Sequence, residues 1–194
     1  TDVDGNGGIA ILEADGETVS GIYERNDVKI RELEGLSQGK GWFPLPGKHL
    51  PESTSTEITE NGIRYLVDFE NGQKTGFFLD QRYNRAAAAR LAAGKTVLDC
   101  FTHTGSFGLN CAKAGAKHVH SVDISETALA CARENCARNG LSHLVEYEAA
   151  NVFDLLPNLP HGAYDYIILD PPAFTKSGKT VNDAERGYKE INFR

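Results

Sequence analysis

Residues 95–107 read KTVLDCFTHTGSF, and residues 118–125 read HVHSVDIS. Val97 and Leu98 form a short apolar run closed by Asp99, and a turn containing threonine and glycine then leads into residues of helical spacing. That is the order strand, tight loop, helix start. A second apolar strand ends on Asp123. In a βαβ unit these are the places for a loop that approaches a ligand through its backbone and for an acid that accepts hydrogen bonds from ribose hydroxyls. The two stretches together mark a nucleoside-cofactor site.

The loop narrows the choice of cofactor. A dinucleotide fingerprint needs G-x-G-x-x-G, because the pyrophosphate sits against the backbone at a helix N-terminus. Residues 101–108, FTHTGSFG, supply Gly105 and Gly108 but carry His103 where a further glycine is required. A ligand with adenosine and ribose but no phosphates asks less of such a loop, and S-adenosylmethionine is the common one. On this loop alone, a βαβ turn without a ligand fits equally well.

The chain has 194 residues, enough to bury a sizeable core and to form one domain plus a smaller partner. No apolar run is long enough to cross a bilayer, so a cytoplasmic protein without a membrane partner is expected. Cys100, Cys111, Cys131 and Cys136 form no C-x-x-C pair and read as reduced, mostly buried residues, with no metal expected. The balance of 20 basic against 27 acidic residues, net −7, argues against a chain that grips nucleic acid over its whole surface. A local patch is still open to such a role. Residues 171–194 are mildly basic through Lys176, Lys179, Arg186, Lys189 and Arg194, a pattern that more often marks a solvated face.

Taken in order, residues 1–18 are rich in Gly and Asp around IAIL and read as a linker or the remnant of an N-terminal module. Residues 19–80 read as a small α+β domain. Within it, residues 34–54 should be loop from their glycines and prolines, and Asn-Gly pairs at 61–62 and 71–72 should turn a three-stranded hairpin meander. Residues 83–93 should be a helix stopped by Gly94. From 81 to 194 strands and helices alternate: TVLDC, a helix over 105–114, KHVHSVD, a helix over 126–139 capped by Ser125, HLVEYEA, a short helical ANVFDLL, and DYIILD. This argues a parallel α/β sheet with right-handed crossovers. Only about four of the roughly six or more strands of a nucleotide-binding sheet can be placed, and the chain carries no methionine, so a piece of a longer protein is expected.

Ligands gather at the carboxyl ends of parallel strands, where Asp99, Asp123, Asn151 and Asp170 all fall. Each has a plainer role open to it: Asp99 as a turn cap, Asp123 as an acid favoured by a helix dipole, Asn151 as an N-cap. Their convergence is what points to one crevice. In DPPAF, 170–174, two prolines stiffen the loop and leave Asp170 and Pro171 facing that crevice. Phe174 then offers a face on which a planar base stacks, suited to an extruded nucleobase beside a methyl donor, or else it fills the core behind a structural turn.

From about residue 22 onward, YERNDVKIRELEGL, ENGQKTGFFLDQR, VLDCFTHTGSF, SVDIS, NVFDLL, DPPAF and RGYKEIN resemble the class I S-adenosylmethionine-dependent methyltransferases of the large-subunit ribosomal RNA (cytosine-C5) type. FLDQR with VLDCF-x-x-TGSF is specific to that type, whereas DPPAF is shared among methyltransferases of several substrates. The resemblance implies a Rossmann-like sheet preceded by the small α+β hairpin domain, S-adenosylmethionine as cofactor with S-adenosylhomocysteine as product, and ribosomal RNA as partner, with the oligomeric state open and a homodimer included.

Position by position, the resemblance implies that Phe78, Gln81 and Arg82 approach the cofactor, Arg82 meeting its carboxylate. Asp99, Thr102, Thr104, Gly105 and Phe107 would form the loop on the methionine side. Asp123 would take the ribose hydroxyls, Ile124 would lie against the adenine, and Asn151 with Val152 would address its edge. Asp170, as the catalytic corner, and Pro171 would face the sulfonium and the target base, with Pro172 and Phe174 on the substrate side. This chain departs from the family in having Asn151 where Asp is frequent. C5 of cytosine also requires a thiolate that adds to C6. The resemblance puts that cysteine beyond Arg194, and none of the four here matches it. Two other readings stay open: methylation of guanine N7 or an exocyclic amine of RNA, and a non-catalytic RNA- or ribosome-binding module.

Overall fold

The computed structural model describes residues 19–28, 30–45, 47, 49–72, 76–174 and 181–192. The expected linker at 1–18 lies outside these. Two compact units result, the first from Thr1–Ile58 with Leu66–Leu79 and the second from Thr59–Tyr65 with Asp80–Arg194.

In the first unit, β1 (Ile22–Arg25) is followed by the one-turn helix α1 (Ile30–Leu33) and by β2 (Lys40–Phe43), which pairs antiparallel with β1. The glycines and prolines of 34–54 led us to expect loop throughout, and β2 corrects that. Tyr23 and Trp42 are register partners whose rings meet edge to face at 5.2 Å, and Phe69 closes on both at 5.2 and 5.6 Å. The mutual packing of this aromatic trio outweighs local turn propensity. Arg25 holds the same corner, its Nη1 donating to the carbonyls of Phe69 at 2.7 Å and Gly72 at 3.1 Å.

Strands β3 (Ser55–Glu60) and β4 (Ile63–Asp68) form a hairpin across Asn61 (φ 53°) and Gly62 (φ 74°). These are the positive values a type I′ turn demands. The second Asn-Gly pair behaves differently. The Asp68 carboxylate accepts from the backbone N–H groups of Glu70 and Asn71, both at 2.9 Å, and Gly72 N–H closes on Asp68 O at 2.9 Å. Asp68 thus captures the turn as a local side-chain loop. Among the described residues no third strand joins the hairpin, which corrects the expected meander. Residues 73–75 of that expected strand lie outside the described set.

The second unit carries α2 (Arg82–Ala89), β5 (Thr96–Cys100), α3 (Ser106–Lys113), β6 (His118–Asp123), α4 (Glu126–Arg138), β7 (Val145–Ala149), α5 (Val152–Leu155), β8 (Tyr166–Leu169) and α6 (Val181–Asn192). The sheet is parallel with order β7-β6-β5-β8, the α/β architecture the alternating pattern calls for. Ser125 caps α4 as expected, its Oγ accepting from Ala128 N–H at 3.2 Å. Helix α2 ends at Ala89, short of the expected Ala93. Leu91 and Ala92 instead make tighter three-residue turns to Ala88 and Ala89, Ala92 is buried, and Gly94 N–H donates to Gly115 O at 2.8 Å. The chain is drawn off the helix axis early to feed β5.

One core cluster gathers Leu98, Cys100, Val122, Val152 and Ile191, with Phe101, Phe153, Leu169 and Phe174 packed on it. The hairpin tip and α2 contribute a buried ion pair: Arg85 Nε lies 2.6 Å from Glu60 Oε1 and Nη2 lies 2.9 Å from Oε2, at 1% and 5% side-chain exposure. Breaking one half of such a pair strands the other. Arg85→Met should cost about 3–5 kcal/mol in urea unfolding, and adding Glu60→Gln should recover much of it. A loss under about 1 kcal/mol would mean that water replaces the guanidinium.

Candidate active site

The strand order places the reversal of the sheet at β5, with β6 on one side and β8 on the other. In parallel sheets of this kind ligands bind outside the carboxyl ends of the strands, next to the reversal. The loop after β5 lies at that end. Phe101 (φ 58°), His103 (φ 51°) and Gly105 (φ 80°) alternate in the left-handed region. For an aromatic side chain that backbone is strained, and such residues cluster at functional sites.

The loop holds this shape through its own polar groups. Asp99 Oδ2 accepts from Thr102 Oγ1 at 2.5 Å and from Gly108 N–H at 2.9 Å. Thr102 N–H reaches Val122 O at 2.9 Å, and Gly105 N–H closes on Thr102 O at 2.9 Å. Asp123 Oδ2 accepts from His103 N–H at 2.8 Å, and its Oδ1 from Ser125 N–H at 2.9 Å. Each Asp123 oxygen keeps a second lone pair, the arrangement needed to accept from two vicinal hydroxyls. Ile124 beside it is 75% exposed, an apolar surface at a polar strand end.

The expected residues are therefore placed as follows. Asp99, Thr102, Gly105 and Asp123 come together in one hydrogen-bonded loop, with Asp99 turned inward and buried. Ala150 N–H donates to Asp123 O at 3.0 Å, which sets Asn151 at the same end of the sheet. Asn151 caps α5, its Oδ1 accepting from Phe153 N–H at 3.1 Å while Nδ2 donates to Asp154 at 2.9 Å. Val152 is buried in the core, at 1% exposure. Thr104 and Phe107 are half-buried in the loop and the first turn of α3, Gln81 is half-buried, and Arg82 is exposed at the start of α2. Phe78 is half-buried in the first unit. Pro171 is half-buried, and Asp170 and Pro172 are exposed. The Phe174 ring packs against Phe153 at 5.6 Å and Tyr188 at 4.6 Å, so its place is in the aromatic core behind the DPPAF turn.

Several contributors escaped the sequence reading. His103 stands where the dinucleotide fingerprint has glycine, and it adopts the left-handed backbone a glycine would supply. That substitution was the available signal. Nothing in the sequence marked Phe101. Asp80 and Arg85 also act here: partial burial and then the negative Asp80 hold the Asp170 carboxyl above its ordinary value, with Arg85 opposing. Burial pushes the Cys100 and Cys111 thiols up to about 12 and raises Cys136, so none of the three is a thiolate near neutral pH.

The fit of a cofactor follows from the donors. A pyrophosphate would need free N–H groups in this loop, yet those of His103, Gly105 and Gly108 are engaged by Asp123, Thr102 and Asp99. Asp123 offers a carboxylate to hydroxyls and Ile124 an exposed aliphatic face, a pairing suited to a nucleoside.

Comparison with known proteins gives the class. The S-adenosylmethionine-dependent methyltransferase family matches residues 45–192, and the chain belongs to that family. Among its relatives, a ribosomal RNA large subunit methyltransferase I from Shewanella denitrificans is 50% identical over 175 residues, and one from Aeromonas salmonicida is 45% identical over 177. Each match covers 88% of this chain and 43% of the relative, so the chain spans less than half the length of the curated relatives it matches. A structure from Streptococcus mutans, assigned as an S-adenosylmethionine-dependent methyltransferase, aligns with a TM-score of 0.68 at 29% identity, covering 94% of this chain and 46% of its own. Another, assigned as a methyltransferase and solved with S-adenosylhomocysteine, aligns at 0.67 and 30% identity, covering 94% and 47%.

Asp99 makes stability depend on pH. Burial lifts its carboxyl to about 7 against the hydrogen bonds from Thr102 and Gly108, with the charges of Asp170 and Asp123 adding to the rise. Between about pH 4 and 7 the folded chain keeps a proton that the unfolded chain has released, so this contribution is full below the ordinary carboxyl range and is lost as pH rises towards 7. Asp99→Asn keeps an acceptor for both donors and should remove that part of the slope in urea unfolding measured across the window. An unchanged slope would assign the titration elsewhere.

Proposed function

We propose that this chain is the cofactor-binding part of an enzyme that methylates large-subunit ribosomal RNA, with C5 of a cytosine as the acceptor. The observation that carries the reading is the Asp123 carboxylate, pinned by His103 and Ser125 at the carboxyl end of β6, beside β5, with both oxygens still able to accept. The names of the relatives at 45–50% identity supply the substrate class.

In this reading bound S-adenosylmethionine supplies an electrophilic methyl group on a sulfonium. Asp123 orients the ribose, Ile124 covers one adenine face, and Asn151 and the Val152 backbone meet the adenine edge. The loop from Asp99 to Phe107, with Thr102, Thr104 and Gly105, holds the methionine side, and Phe78, Gln81 and Arg82 address the amino-acid end, Arg82 through its charge. Asp170 and Pro171 face the sulfonium and the base, and Pro172 and Phe174 stiffen that corner. The thiol that C5 chemistry adds to C6 is none of the buried cysteines above, so the reading assigns it to a part of the protein outside this chain. The cytoplasm is the proposed location, and no helix among the described residues is long and apolar enough to cross a membrane.

The test uses the whole protein with labelled cofactor and unmodified large-subunit ribosomal RNA, followed by nucleoside digestion. Labelled 5-methylcytidine is expected. Label in 7-methylguanosine or a methylated amine would move the chain to the second chemistry, and RNA binding without transfer would make it a non-catalytic module. At the site itself, Asp123→Ala should weaken S-adenosylhomocysteine binding by about 1–3 kcal/mol in calorimetry, through loss of charge-assisted hydrogen bonds. Unchanged affinity would remove Asp123 from the cofactor.

A further inference from the structure

The tip of the β3–β4 hairpin, residues 59–65, groups with the second unit and is tied to three of its helices. At α4, the backbone of Arg64 donates to Asn139 Oδ1 at 2.9 Å and accepts from Asn139 Nδ2 at 2.7 Å. At α2, Glu60 holds Arg85. At α3, the Asn110 amide is buried at 4% exposure with both its N–H donors and its oxygen engaged. Its Nδ2 donates to Ser106 O at 2.8 Å and to the Tyr65 hydroxyl at 2.9 Å, and its Oδ1 accepts from Asn61 Nδ2 at 3.0 Å. Asn61 Nδ2 donates its other hydrogen to Arg82 O at 3.3 Å. Burial holds the Tyr65 phenol above its ordinary value, so it stays protonated and donates towards Ser106 O at 3.5 Å.

Two side-chain amides in series therefore join the carbonyl of Arg82, in the first turn of α2, to the carbonyl of Ser106, in the first turn of α3. Flipping either amide would set oxygen against oxygen, so the direction of the chain is fixed. Asn61 can reach because its backbone sits at φ 53° in the turn, which aims the amide into the unit.

We propose that the hairpin tip is a brace for cofactor binding, with Asn61, Tyr65 and Asn110 as positioning residues that set the spacing of the first turns of α2 and α3 and so the grip on the amino-acid end of the cofactor. This rests on the cofactor reading above, in which Arg82 and the Gly105–Phe107 turn meet that end. In that reading the adenosine end is held elsewhere, at Asp123 and Ile124, and the hydrogen bonds given above for Asn61, Tyr65 and Asn110 go to neither residue.

That division supplies the test. Asn61→Gly keeps the positive-φ turn, since glycine accepts it, and removes only the amide. By calorimetry on the chain, S-adenosylhomocysteine should bind about three- to tenfold more weakly, the effect of one lost positioning hydrogen bond. 5′-Methylthioadenosine, which lacks the amino-acid end, should bind as it does to the unsubstituted chain. Tyr65→Phe removes one hydroxyl and should shift the same ligand in the same direction, which gives a second route if Asn61→Gly folds poorly. Unchanged S-adenosylhomocysteine affinity in both variants, or equal weakening of both ligands, would overturn the brace. An unsubstituted chain that binds neither ligand would instead overturn the cofactor reading, and the brace with it.

Discussion

One oxygen of Asp99, accepting from Thr102 Oγ1 and Gly108 N–H together, sets the shape of the chain above the sheet. It joins the end of a strand, the middle of a loop and the start of a helix, so the loop has no room to relax. Left-handed backbone at Phe101 and His103 costs on the order of 1–3 kcal/mol each, and it persists because these bonds and the neighbouring strand leave no alternative. Gly108 allows the approach: a Cβ there would stand 2.6 Å from Ser121 Oγ and 3.1 Å from Asp99 Oδ2. Helix α3 can therefore lie close against the sheet, and His103 N–H is delivered to Asp123 on the next strand.

What the sequence made legible were features whose cause is local. Apolar runs closed by acids gave the parallel strands, Ser125 gave the start of α4, and Asn61-Gly62 gave a hairpin turn, because in each case the deciding interaction spans only a few residues. The failures share the opposite property. Strand β2 exists because Trp42 meets Tyr23 and Phe69, side chains distant in sequence. The turn at Asn71-Gly72 changed character because Asp68 competed for its donors, and α2 stopped early because Gly94 was needed by Gly115.

The site followed the same division. That Asp99, Asp123 and Asn151 fall at the carboxyl end of one parallel sheet is a consequence of topology and was readable from pattern alone. Which way each side chain turns was not. Asn151 is engaged by its own helix, Val152 and Phe174 by the core, and Asp99 by its loop. The links among Asn61, Asn110 and Arg82 have no local signature, since their partners stand 21 and 49 residues apart.

The charges around the crevice add a constraint independent of any resemblance. Asp99, Asp123 and Asp170 are close enough that the charges of the other two help to raise the Asp99 carboxyl. A ligand entering such a field loses if it is an anion and gains if it carries positive charge. Phosphates are disfavoured by these carboxylates, and the N–H groups of His103, Gly105 and Gly108 already have acceptors. In the cofactor reading proposed above, such a field would favour a cationic sulfonium over the neutral thioether left after methyl transfer.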